Sequence, residues 1–527
     1  MKNKKFNIFA VNFVAILVTF VLVALTLCTF FIQANFKNTT YYDYHEGIYY
    51  TLKFIPLTLL GIIILFAIFY ILYNLSKKFK TKTYLIISLI LITVFSLFWV
   101  NFVKAPVRAD QKMVLGAAIA FKNGDYTLLK NGQYLYLHPL QLGIVFFVEL
   151  LTNVLFSDSP IAIQNINILF VLLCFYLLYK ITKLLYKDEH TQKIVLILFP
   201  CFIVLPMLCV LVYGNIFGLT FALLSLFLLL KYYENRKFRY LLISSFSLIF
   251  SILLKNNYEI ILIAFSISLV LDCIEKFDKR NIFIILLTLI LFIVSNKIVV
   301  KYAEVRSGIP ENSGIPMLTY IAMGLEQPVT RSAGWYHEDK NVESIYIENK
   351  YDANSTKADS IEIIKDRLNT FIHSPKTTIK FFADKVLSTW CEPSFQTIWS
   401  AMPAEEFDNC STEYQNYIQS NKILLSIFNG KLHSIINYCL SIFEILIFAM
   451  ASFSTIYGIK HKNINYQNFI LILCFLGGFM FHFIWETKCI YVIPFFFLLL
   501  PSSANGLALI FNLIDNKLIN KKLIDNK

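Results

Sequence analysis

Long apolar runs alternate with short basic clusters along almost the whole chain. Each run approaches the roughly 20 residues a helix needs to cross about 30 Å of hydrocarbon. The pattern predicts spans at about 8–32, 54–73, 84–103, 161–186, 194–212, 216–232, 240–254, 258–274, 282–300, 435–457, 469–484 and 490–511. Helix is the form these runs must take, because lipid offers no partner to a backbone N–H or C=O, and no barrel-type alternation of polar and apolar residues appears. The basic residues gather at run ends: Lys77, Lys78, Lys80 and Lys82; Lys180, Lys183 and Lys187; Lys231, Arg236, Lys237 and Arg239; Lys276, Lys279 and Arg280; Lys460 and Lys462; Lys517, Lys521 and Lys522. If all of them face the cytoplasm, every loop alternates correctly and both termini lie inside. The expected fold is therefore an all-α polytopic membrane protein with about twelve transmembrane helices.

That topology leaves one apolar segment, 139–156, outside. A crossing there would put the later basic clusters on the wrong side, so the segment reads as a helix lying in the interface or dipping in and returning, with Glu149 and Asn153 toward water or protein. A short true span paired with a second, unrecognised one is the alternative. The chain then divides into three N-terminal spans (1–103), an outer loop (104–160), a six-span core (161–300), an extracytoplasmic region (301–434), and three C-terminal spans with a tail (435–527). The region 301–434 carries helical periodicity around Ser360 to Lys385 and is cut by prolines 310, 316, 328, 375, 393 and 403. The loop 33–53 between the first two spans is short and tyrosine-rich.

Composition agrees: 57% of the residues are hydrophobic and only 15% charged, too little polar surface for a soluble globule of 527 residues. A net charge of +13 would suit nucleic acid, but clustering at span ends is the signature of membrane topology, so no nucleic-acid partner is expected. The basic start runs into an apolar stretch without a small-residue cleavage site, which reads as a retained span. The 10 cysteines lie mostly inside spans and show no metal spacing. Cys391 and Cys410 share the outer region, as a disulfide or as two thiols.

Asp110 follows the third span by a few residues, in Lys104-Ala-Pro-Val-Arg-Ala-Asp-Gln-Lys112, where a carboxylate reaches the level of lipid head groups. Asn123-Gly-Asp-Tyr126 and Tyr134-Leu-Tyr-Leu-His138-Pro139-Leu-Gln141 follow, and near the C-terminus stands Gly477-Gly-Phe-Met-Phe-His482-Phe-Ile-Trp485-Glu486-Thr-Lys488-Cys-Ile-Tyr491. With these strings the chain resembles the GT-C superfamily of glycosyltransferases, the polytopic enzymes that include protein O-mannosyltransferases and lipid A aminoarabinose transferases. Their first long outer loop opens with an acidic residue, passes a Gly-Asp-aromatic stretch and reaches a Tyr-x-x-His/Tyr-Pro motif. Bacterial members carry a late Trp-Glu-x-Lys/Arg-x-x-Tyr element. Here the matching positions are Asp110, Gly124 to Tyr126, Tyr134 or Tyr136 with His138 and Pro139, and Trp485 to Tyr491. Two departures stand out: two extra spans precede the acidic loop, and Gln111 occupies the place where a second acid is common. Whether a divalent cation takes part is left open by that glutamine.

The resemblance implies transfer of a sugar from a polyprenyl-phosphate carrier to a glycan or protein acceptor on the outer face of the membrane, with inversion and with Asp110 as general base. Cations would stabilise the departing phosphate, and Lys488 is the first choice with Arg331 second. His138, Glu486, His482 and Tyr136 complete the expected substrate-binding set. Each has a plainer reading: Asp110 pairing with Arg108 or Lys112, Glu486 and Lys488 snorkelling at a membrane boundary, His138 capping a helix before Pro139. Trp335, Tyr336, Trp390 and Trp399 could form a sugar platform or an interfacial aromatic belt. Lys, Asn and Ile richness points to an AT-rich bacterial genome, hence a bacterial plasma membrane. The competing class is a transporter or flippase of a lipid-linked saccharide or wall polymer, which predicts internal repeats and mid-span charges that are not evident. A non-catalytic membrane scaffold is the third reading.

Overall fold

The structure, a computed structural model, describes residues 2–36, 46–310, 312–337, 340–461 and 469–525. Helix α1 (Lys2–Phe31) leads into an antiparallel hairpin, β1 (Ile32–Phe36) against β2 (Ile48–Leu52), in the register Ile32 opposite Leu52 and Phe36 opposite Ile48. This hairpin corrects the expectation of a plain loop over 33–53. Then come α2 (Ile55–Ser76), α3 (Thr81–Val103), α4 (Asp110–Lys122), the short α5 (Tyr134–Leu137), α6 (Leu142–Leu155) and α7 (Pro160–Leu185). The core continues with α8 (Glu189–Leu198), α9 (Val204–Met207), α10 (Gly214–Asn235), α11 (Phe238–Leu254), α12 (Glu259–Glu275) and α13 (Lys279–Ser307).

Among the described residues eight helices are long and apolar enough to cross a membrane unaided, and three bent pairs would raise the number to 11. Each predicted run lies mostly in helix. Two runs are broken, 189–210 by 41° and 489–516 by 51°, and two helices, α11 and α22 (Ile470–Ile484), hold only 17 and 15 residues. The third bent pair, 127–155, turns by 104° around His138 and contains the segment read from sequence as an interfacial or dipping helix. Within it Glu149 points into protein: it is buried and bound by Arg306 at 2.6 and 2.8 Å.

Lipid-facing and protein-facing surfaces separate cleanly. Phe20, Ile63, Val94 and Ile293 are more than half exposed on α1, α2, α3 and α13, whereas α10 is buried almost throughout, between α7 and α11. Close approach makes that possible: a Cβ on Gly214 would fall 1.8 Å from the Leu254 carbonyl oxygen. At one end of the bundle Lys77 meets Asp515 at 2.5 Å, Arg236 meets Asp272, and Asn7 bonds the Leu271 carbonyl. The basic clusters around 77, 236 and 280 thus share an end, one span away from the hairpin. Lys462 falls outside the described residues.

Region 308–430 packs over the other end. It contains α14 (Met317–Gly324), α15 (Val342–Glu348), α16 (Ala353–His373), α17 (Pro375–Trp390), α18 (Thr397–Ala401), α19 (Thr412–Ser420) and α20 (Lys422–Asn429). The periodicity around 360–385 spans two helices, because Pro375 starts a new one: its ring cannot continue α16 but suits a first helical turn. Asp352 caps α16 through the Ser355 amide at 2.7 Å. The chain returns through α21 (Lys431–Lys460), α22, α23 (Ile493–Phe497) and α24 (Leu500–Asp525). Cys391 and Cys410 are both free thiols, as are the other eight cysteines.

Candidate functional site

Between the bundle and the outer region lies a cavity of about 980 Å³. Its first wall is the turn from α3 to α4. Lys104 ends α3 in the left-handed region (φ 52°), and Ala109, with φ 48° and ψ −135°, immediately precedes Asp110, the first residue of α4. Such a conformation on a residue with a Cβ is costly and persists where surrounding contacts impose it. Those contacts are visible: Gln164 donates to the Ala105 and Val210 carbonyls at 3.0 Å each, and the buried Gln111 accepts from the Val212 amide at 2.9 Å. Gln111 is therefore a structural tie. Asp110 is exposed in the cavity and makes no hydrogen bond or ion pair among the described residues; Lys112, one of its expected partners, binds Glu406 at 3.0 Å. Arg108 donates to the Trp399 carbonyl at 2.6 Å and stacks on the Trp399 ring.

The second wall is the Trp485-Glu486-Thr487-Lys488 segment, which the outer region clamps. The buried ammonium of Lys385 donates to the Gly324 and Trp485 carbonyls, the latter at 2.8 Å, and the Thr487 amide donates to the Gly334 carbonyl at 2.9 Å. At Gly324 a Cβ would fall 2.5 Å from the Glu486 nitrogen. Burial lowers the Lys385 ammonium to about 7, with Glu486 opposing. Burial also raises the Glu486 carboxyl, against Lys488 and Lys255.

Lys488 and Arg331 do converge, on a residue the sequence did not single out. Glu46, buried just before β2, receives Lys488 at 2.8 and 2.9 Å, Arg331 at 2.7 Å and the Gln396 amide at 3.0 Å. Its burial favours the neutral acid, but Lys488 and Arg331 outweigh that and hold the carboxyl below its ordinary value. His138 is similarly engaged, with Nδ1 3.1 Å from the Tyr320 hydroxyl and Nε2 2.9 Å from Glu343, which also accepts from Tyr336 at 2.7 Å. Despite burial, His138 and Tyr336 lower the Glu343 carboxyl.

The third wall joins α11 to α12. Lys255 leads the Asn256-Asn257 turn and lies 4.3 Å over the Tyr213 ring and 5.2 Å over that of Tyr491. Burial pushes its ammonium down to about 8, against the pull of Asp110 and Glu486. Tyr213 and Tyr134 both sit well above the ordinary phenol value, chiefly through burial and then through Asp110, with Tyr213 also raising Tyr134 while the Tyr134 hydrogen bond pulls Tyr213 the other way. His482, 2% exposed, lines the cavity with no normal hydrogen bond at either ring nitrogen.

Six of the seven expected residues, Asp110, His138, Arg331, His482, Glu486 and Lys488, line this one cavity. Tyr136 does not. It packs edge-on against Tyr351 in a separate cluster, and Tyr134, the other tyrosine of that string, faces the cavity instead. Of the four aromatics offered as a platform, Tyr336 and Trp399 reach the cavity, while Trp335 and Trp390 are core. Among the described residues no three His, Cys, Asp or Glu side chains are grouped to hold a metal ion.

Three solved structures, all of the archaeal oligosaccharyltransferase from Archaeoglobus fulgidus, are similar in fold. One, of AglB in complex with an inhibitory peptide and a dolichol-phosphate, aligns at TM-score 0.42 and 11% identity over 86% of this chain and 52% of its own. A complex with Zn and sulfate aligns at 0.39 and 11% over 82% and 49%, and a form tethered to an acceptor peptide at 0.40 and 10% over 84% and 51%. The chain thus spans about half the length of these structures. No curated protein matches it. Residues 138–299, from the turn at His138 through most of α13, match the family profile of dolichyl-phosphate-mannose-protein mannosyltransferase. That match covers under a third of the chain, and over it the chain is similar to this family of membrane glycosyltransferases.

Proposed function

We propose that the protein transfers a sugar from a polyprenyl-phosphate carrier to an acceptor hydroxyl on the outer face of a plasma membrane, with inversion at the anomeric carbon. One observation carries the reading: Asp110 is an exposed carboxylate in the cavity with no hydrogen bond or ion pair among the described residues, within electrostatic reach of Lys255 and Glu486. In the step proposed, the acceptor oxygen bonds to the anomeric carbon as the bond from that carbon to the phosphate oxygen breaks. The acceptor proton goes to Asp110 and the electron pair leaves with the lipid phosphate, whose charge the cavity cations stabilise. Basic clusters gathered at the far end of the bundle support placing that end, and both termini, in the cytoplasm.

The test is transfer from a synthetic polyprenyl-phosphate sugar into envelope material, by wild-type protein and by Asp110→Asn. A loss of about 100-fold or more, with folding retained, is expected for removal of a general base. Equal rates would end Asp110's role.

A further inference from the structure

The cavity holds more cations than it has tasks for, and its hydrogen bonds sort them. Resting on the donor class proposed above, we infer that Lys255, assisted by His482, is the ligand of the carrier's phosphate, and that Lys488 and Arg331 instead build the wall through Glu46.

Charge accounting is the first ground. Lys488 and Arg331 converge on one buried carboxylate at 2.7 to 2.9 Å, and Arg331 also donates to the Tyr336 carbonyl at 2.9 Å. An incoming phosphate would have to displace Glu46 and leave that carboxylate buried without its cations, a heavy penalty. Lys255 has no such commitment. Among the described residues its ammonium meets the faces of Tyr213 and Tyr491, which attract a cation without consuming any of its three donors.

Position is the second ground. A phosphate tethered to a prenyl chain stays near the level of the head groups. Lys255 directly follows the apolar α11, whereas Arg331 belongs to the outer region between α14 and α15. The Lys255 backbone is fixed by the close packing at Gly214, where only a hydrogen fits against the Leu254 carbonyl. Asn256 and Asn257, which also line the cavity, begin the turn into α12.

His482 is the third and independent ground. It is 2% exposed, lines the cavity, lies against the Glu486 backbone and has no side-chain hydrogen-bond partner at either ring nitrogen among the described residues, an arrangement that leaves bonding capacity for a ligand. Its ring centroid lies 6.0 Å from that of Tyr491, the same ring that Lys255 overlies. A neutral imidazole can donate from one nitrogen to a phosphate oxygen and accept at the other from a sugar hydroxyl.

Binding of a short-chain polyprenyl phosphate and of the matching polyprenol to purified full-length protein tests the inference, with melting temperature as the folding control. Wild type should prefer the phosphate. Lys255→Gln, and Lys255→Met as a second variant that keeps the apolar stem, should each weaken phosphate binding about tenfold or more, toward the polyprenol level, without change for polyprenol. His482→Ala should lose about threefold or more, and Lys488→Gln should lower the melting temperature while phosphate binding changes by less than about threefold. Phosphate preference retained in both Lys255 variants overturns the inference and leaves the proposed reaction standing. No phosphate preference in wild type overturns both.

Discussion

The cavity's two charged walls use the same residue types to opposite ends. Around Glu46 and Glu343 every strong group is bonded: Lys488, Arg331 and Gln396 to one carboxylate, His138 and Tyr336 to the other. Around Asp110, Lys255 and His482 none of these three side chains makes a hydrogen bond or ion pair with another side chain among the described residues. A bonded buried network holds shape, while unsatisfied groups in a recess await something from outside. The lesson is that charge alone does not mark a binding residue in such a site. What marks it is charge that the fold has left unspent.

The sharpest way to break this contrast is Glu46→Gln. Lys488 and Arg331 would keep their positive charges in a buried site without the carboxylate, and loss of about 3–5 kcal/mol of stability is expected, read as a fall in melting temperature with transfer reduced as a consequence. Asp110→Asn, on the open wall, should leave the unfolding free energy within about 1 kcal/mol of wild type while abolishing most turnover. An equal stability loss in both variants would erase the distinction between the walls.

A pH series sharpens it further. The Lys255 ammonium lies at about 8, facing Asp110, Glu486 and Lys488. Its phosphate-binding form is protonated, so affinity for the lipid phosphate should be full well below pH 8 and fall as pH rises through about 8, up to about tenfold per pH unit once the amine is neutral. A flat profile from pH 7 to 9 would assign the phosphate elsewhere. The same shift has a stability counterpart: the amine is depressed from its ordinary 10.5, so the folded state sheds its proton first and this group's burial cost is relieved as pH rises from about 8 to 10.5.

The smallest effects separate the two tyrosines. Tyr136→Phe keeps the ring that packs on Tyr351 and should change donor affinity by less than about twofold, whereas Tyr134→Phe, inside the cavity beside Tyr213, should cost about threefold or more. Reversal of that order would return Tyr136 to the site.

By itself the sequence determined the helical, multi-span character of the chain, the short-range breaks at prolines, and the recess-lining strings around Asp110, His138 and Trp485. These are local matters: an apolar run of sufficient length has only one way to satisfy its backbone in lipid, and Pro375 can start a helix but not continue one. Tyr136 against Tyr134 was beyond it, because a two-residue step around a four-residue helix reverses which side chain faces the cavity. So was the hairpin, whose strands pair across a tyrosine-rich stretch too short to announce a sheet. Glu46 illustrates the limit most clearly. It stands hundreds of residues from Arg331 and Lys488 along the chain, and nothing in its neighbours signals burial. Only the tertiary structure decides which charges meet, since ion pairing depends on distance in space, and that pairing decides which cations remain available to a ligand.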